Sequence, residues 1–254
     1  MLLHYRTPGG YVYKIYDKML TQTHLLVAGA TGSGKSVVVN GIIHTALVTG
    51  SPWDYKFILI DPKRVELAEY KNTPHCIRYA SEPAEMIDAL KLAMEICENR
   101  YKMMQAQGLR KFDGSKVFVV IDEFADLMTT NKKAVQPLIQ RLAQIGRAAN
   151  ISIILCTQTP VALVLPTVIK CNFDSRVGLR TRSAQDSRNI IGVKGLETLP
   201  RYGQGVLMTP EETYLTTVPM YTEDERKRII DYWTKSHKKP GILKRMFQRK
   251  QKTA

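Results

Sequence analysis

The chain has 254 residues, of which 44% are hydrophobic and 24% charged, and this balance is typical of a folded globular protein. It contains no apolar run of about 18 residues, so the sequence predicts no transmembrane helix. The opening segment, Met1–Arg6, does not resemble a signal peptide, and we expect a cytoplasmic protein. The four cysteines lack metal-ligand spacing, which predicts reduced thiols in the core rather than a metal site or a disulfide: Cys76, Cys97, Cys156 and Cys171.

The formal net charge is +14, and most of the excess lies near the C-terminus. Arg226–Ala254 contains eleven lysines or arginines and one acid, Asp231. Such a segment suits DNA phosphates or anionic lipids. Apolar residues interleaved with its charges also fit a short amphipathic helix that contacts a membrane or a protein partner, and a solvated chain end is the third interpretation.

The first 23 residues precede the predicted core. In this part Tyr11–Tyr16 alternates with period two, which predicts a short edge strand. A short apolar run, His24–Ala28, then predicts a strand, and Ser36–Val48 predicts a helix. A glycine-rich segment joins the two.

That glycine-rich segment has the spacing of a phosphate-binding P-loop, with one glycine, four intervening residues and then Gly-Lys-Ser. Glycine allows the backbone N–H groups to approach a phosphate, and the following helix directs its positive end at it. Lys35 supplies a charge for the β- and γ-phosphate oxygens, and Ser36 a hydroxyl for Mg²⁺. The sequence therefore predicts ATP and Mg²⁺ as cofactors, held by Gly29, Ala30, Thr31, Gly32, Ser33, Gly34, Lys35 and Ser36.

Two further apolar runs end in carboxylates. Lys56–Asp61 predicts a buried parallel strand, and we expect Asp61-Pro62-Lys63 at its end to lie near the nucleotide. Lys116–Ile121 predicts another, followed by Asp122 and Glu123 in the Walker B pattern. We expect Asp122 to hold the Mg²⁺ shell beside Ser36, and Glu123 to polarise the attacking water as a general base.

Between and beyond these runs, the chain alternates helices and strands. A helix is predicted from an N-cap at Ser81 to about Ala106, and another over Lys133–Ala149. The strand Ile151–Thr157 ends at Gln158, whose amide is placed to sense the γ-phosphate. The remaining predictions are a strand within Val168–Leu179, a helix over Ala184–Ile191, a hairpin over Val206–Val218 and an amphipathic helix over Thr222–Trp233.

Taken together, these stretches resemble the motor domain of the FtsK/SpoIIIE family of DNA translocases. The resemblance runs from about Thr23 to Met208 and is carried, in order, by HLLVAGATGSGKSVVVN, LIDPKRVELAEY, VVIDEFADLM, RLAQIGRAANISI and CTQTP. It implies an α/β fold of the RecA-like P-loop NTPase type, with a mostly parallel central sheet and helices on both faces. It also implies an ATPase that forms a homo-hexameric ring around double-stranded DNA.

The resemblance assigns further roles. Arg147 aligns with the family's arginine finger, which reaches the site of the neighbouring subunit, and Arg141 or Arg180 are the alternatives for that role. Lys132–Lys133 and Val161–Lys170 are the DNA-contacting loops expected from family topology. The short form is similar to motors of plasmids, conjugative elements and phages, which favours DNA transfer as the process.

We therefore expect three parts: a lead-in (1–23), an ATPase domain (24–236) and a basic tail (237–254). The expected function is ATP hydrolysis coupled to DNA movement, with recruitment to the inner face of the membrane or to a transfer channel through the tail. Two alternatives remain. One is a ring ATPase that moves a protein or nucleoprotein through a secretion channel, and the other is a nucleotide-gated assembly factor without turnover. The presence of both Lys35 and Glu123 argues against the second.

Overall fold

The computed structural model describes residues 11–158, 160–161, 164–200 and 203–236. Its centre is an eight-stranded sheet in the order β3-β2-β4-β5-β1-β6-β7-β8. The first six strands in this order run parallel, and β7 and β8 are antiparallel to their neighbours. The strands are β1 (Leu25–Ala28), β2 (Tyr55–Ile60), β3 (Cys76–Ala80), β4 (Lys116–Ile121), β5 (Ile151–Thr157), β6 (Ser175–Leu179), β7 (Gln204–Met208) and β8 (Thr213–Thr217).

Helices cover both faces of the sheet. They are α1 (Tyr11–Thr21), α2 (Lys35–Thr49), α3 (Pro83–Gln107), α4 (Phe124–Ile145), α5 (Thr167–Lys170), α6 (Ala184–Ile191) and α7 (Glu223–Ser236). Core residues of α3, α4, α5 and α6 pack in one cluster, and those of α1, α2 and α7 pack in another. The strand β4 shows why two layers form, because Val117 and Val119 face the first cluster and Phe118 and Val120 face the second. The predicted α/β fold is confirmed.

The predicted edge strand over Tyr11–Tyr16 is wrong, because this segment belongs to α1. The helix buries Tyr16, Met19 and Leu20, whose spacing of three and four residues is helical. It packs on α2 at Gly41, where no Cβ would fit beneath the Tyr16 ring. The Tyr16 hydroxyl donates to the Pro219 carbonyl at 2.6 Å, and this fixes the helix on the domain.

Two helix starts differ from those predicted. The N-cap of α3 is Glu82 rather than Ser81, since Pro83 occupies the first helical position and the Glu85 carboxylate accepts the Glu82 amide at 3.3 Å. The helix α4 begins at Phe124 instead of Lys133, with a break in helical backbone at Asn131 (φ −137°, ψ 30°).

The cysteine prediction is partly wrong. Cys97 and Cys156 are buried in the core, as predicted. Cys76 is half-buried and Cys171 is exposed. It lies in the turn after α5 and before β6, so its apolar neighbours in sequence do not enclose it. All four cysteines are free.

The hairpin of β7 and β8, the helix α6 and the strand β6 lie where the sequence predicts them. The helix α7 begins with Glu223, Asp224 and Glu225, whose charges favour the positive end of a helix. The tail from residue 237 onward lies outside the described residues. No helix within the described part of the chain has the length and apolar character needed to span a bilayer.

Candidate nucleotide-binding site

The loop after β1 has the backbone of a phosphate cradle. Gly32 (φ 73°) and Gly34 (φ 103°) occupy the left-handed region that glycine tolerates best. Gly29 has a different reason to be glycine, because a Cβ there would lie 2.7 Å from the Ser33 hydroxyl and 2.8 Å from Leu179 Cβ. The loop can therefore close tightly against the end of β6.

Neighbouring strands hold this loop in place. The Ala30 amide donates to the Arg180 carbonyl at 2.8 Å, and the Gly29 amide donates to the Thr157 carbonyl at 3.4 Å. The Lys35 ammonium donates to two loop carbonyls, those of Gly29 (2.9 Å) and Ala30 (2.8 Å). The lysine thus lies folded over the loop that precedes its own helix.

Three features of the loop fit the phosphates of a nucleotide. The N-cap of α2 is Gly34, which provides no side-chain cap for the first amides of the helix. The Ser33 hydroxyl is buried and has no hydrogen-bond partner. Burial lowers the pKa of Lys35, while Glu123 and Asp122 oppose this change by favouring its charged form. A phosphate would satisfy the amides and the hydroxyl and would compensate the lysine charge.

The carboxylates of Asp122 and Glu123 lie at the end of β4, buried beside the loop. Burial raises the pKa of Asp122 to about 7, and the nearby carboxylates of Asp61, Glu66 and Glu123 add to this rise, whereas Lys63 opposes it. A divalent cation would compensate this crowding of negative charge. A hydroxyl and a carboxylate, from Ser36 and Asp122, are ligands that suit Mg²⁺.

Glu123 is held by two neighbours. One carboxylate oxygen, Oε2, lies 3.3 Å from the Lys63 ammonium. The other, Oε1, accepts a hydrogen bond from the backbone N–H of Gln158 at 3.3 Å. The side-chain amide oxygen of Gln158 accepts a hydrogen bond from the Thr31 hydroxyl of the loop at 2.5 Å. The structure therefore brings together Glu123, Gln158 and the P-loop, three sites predicted from different parts of the sequence.

The pairing of Lys63 with Glu123 was not predicted, although the sequence places Lys63 itself near the nucleotide. Lys63 follows the carboxyl end of β2, and only the pairing of β2 with β4 places it against Glu123. The signal that would have found it is the motif Asp61-Pro62-Lys63 combined with that strand order. Asp61 itself is fully buried and accepts the Leu67 amide at 3.0 Å, which shapes the turn that carries Lys63.

Arg147 lies far from these groups. It follows α4 and precedes β5, so it is at the amino-terminal edge of the sheet, opposite to the P-loop. It is exposed and lines a cleft of about 680 Å³ together with Gln144, the end of α1 and the hairpin tip at Glu211. Arg147 therefore does not reach the site of its own chain.

The expected DNA-contacting segments are placed as follows. Lys132 and Lys133 are exposed, but they lie within α4 directly after the break at Asn131 and not in a loop. Of Val161–Lys170, residues 162 and 163 are outside the described part, and Thr167–Lys170 forms the helix α5. Among the described residues, no group of three or more His, Cys, Asp or Glu side chains is arranged to hold a metal.

Comparison with known proteins extends this description. The sequence model of the FtsK/SpoIIIE family matches residues 10–117 and 113–162, which together make up more than half of the chain. The chain belongs to the FtsK/SpoIIIE family. The DNA translocase FtsK of Rickettsia bellii is 37% identical in an alignment 254 positions long, gaps included, that covers 82% of this chain and 34% of that protein. The chain thus spans about a third of the length of this curated relative.

Solved structures share the FtsK/SpoIIIE fold at lower identity. The monomer of the pCW3 conjugation coupling protein TcpA, solved with ATPγS, has a TM-score of 0.73 and 23% identity, and the match covers 84% of this chain and 66% of that one. The cytoplasmic domain of the type VII secretion ATPase EccC of Thermomonospora curvata has a TM-score of 0.72 and 22% identity over 83% of this chain and 28% of that one. These likenesses show that the chain shares the fold of these two proteins.

Proposed function

We propose that the chain is the motor of an ATP-driven DNA translocase. One observation carries the proposal: the buried Asp122–Glu123 pair lies beside the P-loop, within the electrostatic influence of Lys35. An acidic pair in that position suits a hydrolase, because a nucleotide-binding protein without turnover has no need of a second buried carboxylate. Similarity to a protein named as a DNA translocase supports DNA as the substrate.

Each residue of the site has a role in hydrolysis. The loop amides and Lys35 bind and orient the β- and γ-phosphates, and Ser36 and Asp122 would hold Mg²⁺. Bound Mg²⁺ would neutralise phosphate charge. Glu123 then accepts a proton from the attacking water, and a positioned general base of this kind contributes about 10²–10⁴-fold to the rate. Gln158, which contacts both Glu123 and Thr31, reports the state of the γ-phosphate to the end of β5.

We further propose a homo-hexamer in which Arg147 completes the neighbouring site. Its position at the sheet edge opposite the P-loop supports a role between subunits, since it has no path to its own nucleotide. Two other residues are candidates for the arginine finger. Arg180 lies at the nucleotide edge, where its backbone carbonyl accepts the Ala30 amide, and Arg141 lies in α4.

The proposed organisation is an ATPase domain over 24–236, a lead-in over 1–23 whose α1 packs on that domain, and a basic tail over 237–254. In a cytoplasmic motor the tail attracts DNA phosphates without reading sequence. Attachment to an anionic membrane or a channel protein is the competing role for the same residues.

The test of this function is the ATPase rate of the purified chain with and without duplex DNA, with Lys35→Ala as the inactive control. We expect DNA to raise the rate of the wild-type chain and to leave Lys35→Ala at background. A wild-type rate that does not change at any DNA concentration or salt would refute the DNA motor.

The second candidate is an ATPase that moves a protein or nucleoprotein through a secretion channel. The fold it shares with the secretion ATPase EccC favours this alternative. It predicts turnover that ignores naked DNA and rises with a protein substrate, so the same assay separates the two functions.

A further inference from the structure

The ion pair between Lys63 and Glu123 joins a buried group to an exposed one. The side chain of Glu123 is 7% exposed and that of Lys63 is 46% exposed, with 3.3 Å between Nζ and Oε2. Glu123 is also held at its other oxygen by the Gln158 amide. Both oxygens of the proposed general base are therefore engaged by protein donors.

Hydrogen bonds fix the backbone turn that carries Lys63, while its side chain is partly exposed to solvent. The Asp61 amide donates to the Ala80 carbonyl at 2.9 Å, and the Arg64 amide closes the turn onto the Asp61 carbonyl at 3.1 Å. The Asp61 carboxylate holds the far side of the turn through Leu67. Lys63 thus extends from a fixed turn, with a side chain that solvent can reach.

The contact is of a kind that can be released. Charged hydrogen bonds between nitrogen and a carboxylate are usually about 2.7–2.9 Å long, and the distance here is longer. Pairs with one partner in solvent contribute modestly, because water screens them. An anion that approaches Lys63 from solvent competes directly with Glu123 for the ammonium.

We propose that Lys63 is a positioning residue that holds the Glu123 carboxylate turned toward the loop after β2 and so restrains hydrolysis until it is released. In the sheet order, β4 lies between β2, which leads to Lys63, and β1, which leads to the P-loop. The pull of Lys63 on Glu123 is therefore directed away from the P-loop, where the γ-phosphate and its attacking water are expected. Release leaves Oε2 free to accept the proton of that water. The Gln158 contact on Oε1 keeps the carboxylate in place when Lys63 leaves. This inference rests on the proposed ATPase function.

The experiment compares Lys63→Met with Lys63→Arg and with a matched control, Arg64→Met. Arg64 is the next residue of the same turn, but it pairs with Glu82 instead of the site. Methionine keeps most of the length of the side chain and removes its charge, and the guanidinium of arginine can still reach Glu123. All are measured as the full chain, with folding checked by the midpoint of thermal unfolding.

We expect Lys63→Met to raise the DNA-free kcat by about two- to fivefold, the factor that corresponds to a partly exposed ion pair. The KM for ATP should stay unchanged, because the phosphate contacts remain. Lys63→Arg and Arg64→Met should keep the wild-type rate. The double variant Lys63→Met with Glu123→Gln should be as inactive as Glu123→Gln alone, since the gain acts through Glu123.

An unchanged or lower DNA-free kcat in Lys63→Met, or an equal rise in Arg64→Met, overturns the proposal. The readout is separate from that of the proposed function, because it is taken without DNA. A wild-type rate that ignores DNA refutes translocation and leaves the effect of Lys63 measurable. Absence of turnover in every variant counts against both.

Discussion

Acid should destabilise the domain through one buried histidine at the start of β1. His24 is 4% exposed, and its Nδ1 accepts the Ile153 amide of β5 at 3.1 Å. The ring packs on Phe173, with 5.5 Å between ring centroids. Burial lowers the pKa of His24 to about 4; a backbone contact at Ala143 opposes this shift, and the charge of Lys116 adds to it. Protonation would place an N–H against the N–H of Ile153.

The size of the effect follows from the pKa difference. An unfolded histidine has a pKa of about 6.5, so the folded state binds fewer protons between that value and about 4. Stability is therefore greatest above pH 6.5 and falls as the pH decreases through this window. Each pKa unit corresponds to about 1.4 kcal/mol, which gives a total loss of about 3 kcal/mol, of which about 2 kcal/mol falls between pH 7 and pH 5.

The assay is denaturant unfolding of the wild type and of His24→Asn from pH 8 to pH 4.5. Asparagine offers a carbonyl oxygen to the Ile153 amide and does not titrate. Other groups that titrate in this range, such as His44, are present in both proteins and cancel in the difference. We expect the stability advantage of the wild type over the variant to shrink by about 2 kcal/mol from pH 7 to pH 5. Parallel curves would show that His24 titrates normally or is solvated.

Three further predictions concern turnover and assembly. Glu123→Gln should keep ATP binding and lower kcat about 10²-fold or more, because the base is lost while Asp122 remains; near-normal hydrolysis would reject the assignment. Arg147→Ala should bind ATP normally and hydrolyse it poorly, and mixing it with Lys35→Ala should restore activity in hybrid rings; mixed rings without any rescue would count against a role between subunits. Truncation after Pro240 should make the slope of log affinity for DNA against log salt shallower by roughly 0.9 for each phosphate that the tail neutralises in the full chain. Turnover at saturating DNA should stay intact. An unchanged slope together with abolished binding to anionic vesicles would assign the tail to membranes.

The parts of the candidate nucleotide site that the sequence points to are local. The glycine spacing, and the acidic pair after an apolar run, are properties of a few consecutive residues, and parallel strands bring their carboxyl ends to one edge. Contacts between segments that are distant in sequence are not predicted in this way. The contact of Lys63 with Glu123 depends on β2 lying beside β4, which periodicity does not reveal.

The elements that were missed or mistaken lie where local patterns are ambiguous. The aromatic residues of α1 fit a period of two as well as a helix, and only packing of Tyr16 on Gly41 decides between them. The strand β3 is an edge strand with Ile77 and Arg78 both exposed, so it carries no alternating signal. The early start of α4 was hidden because the acidic motif before Phe124 is typical of a strand end.

The order of strands also has a consequence for the newly made chain. Among the described strands, β1, which carries the P-loop, pairs only with β5 and β6. Both are synthesised long after it, since β6 ends at Leu179. At roughly 5–20 residues per second on the ribosome, β1 waits on the order of ten to thirty seconds for its partners. Until then the apolar residues of β1 lack the neighbours on both sides that bury them in the finished sheet.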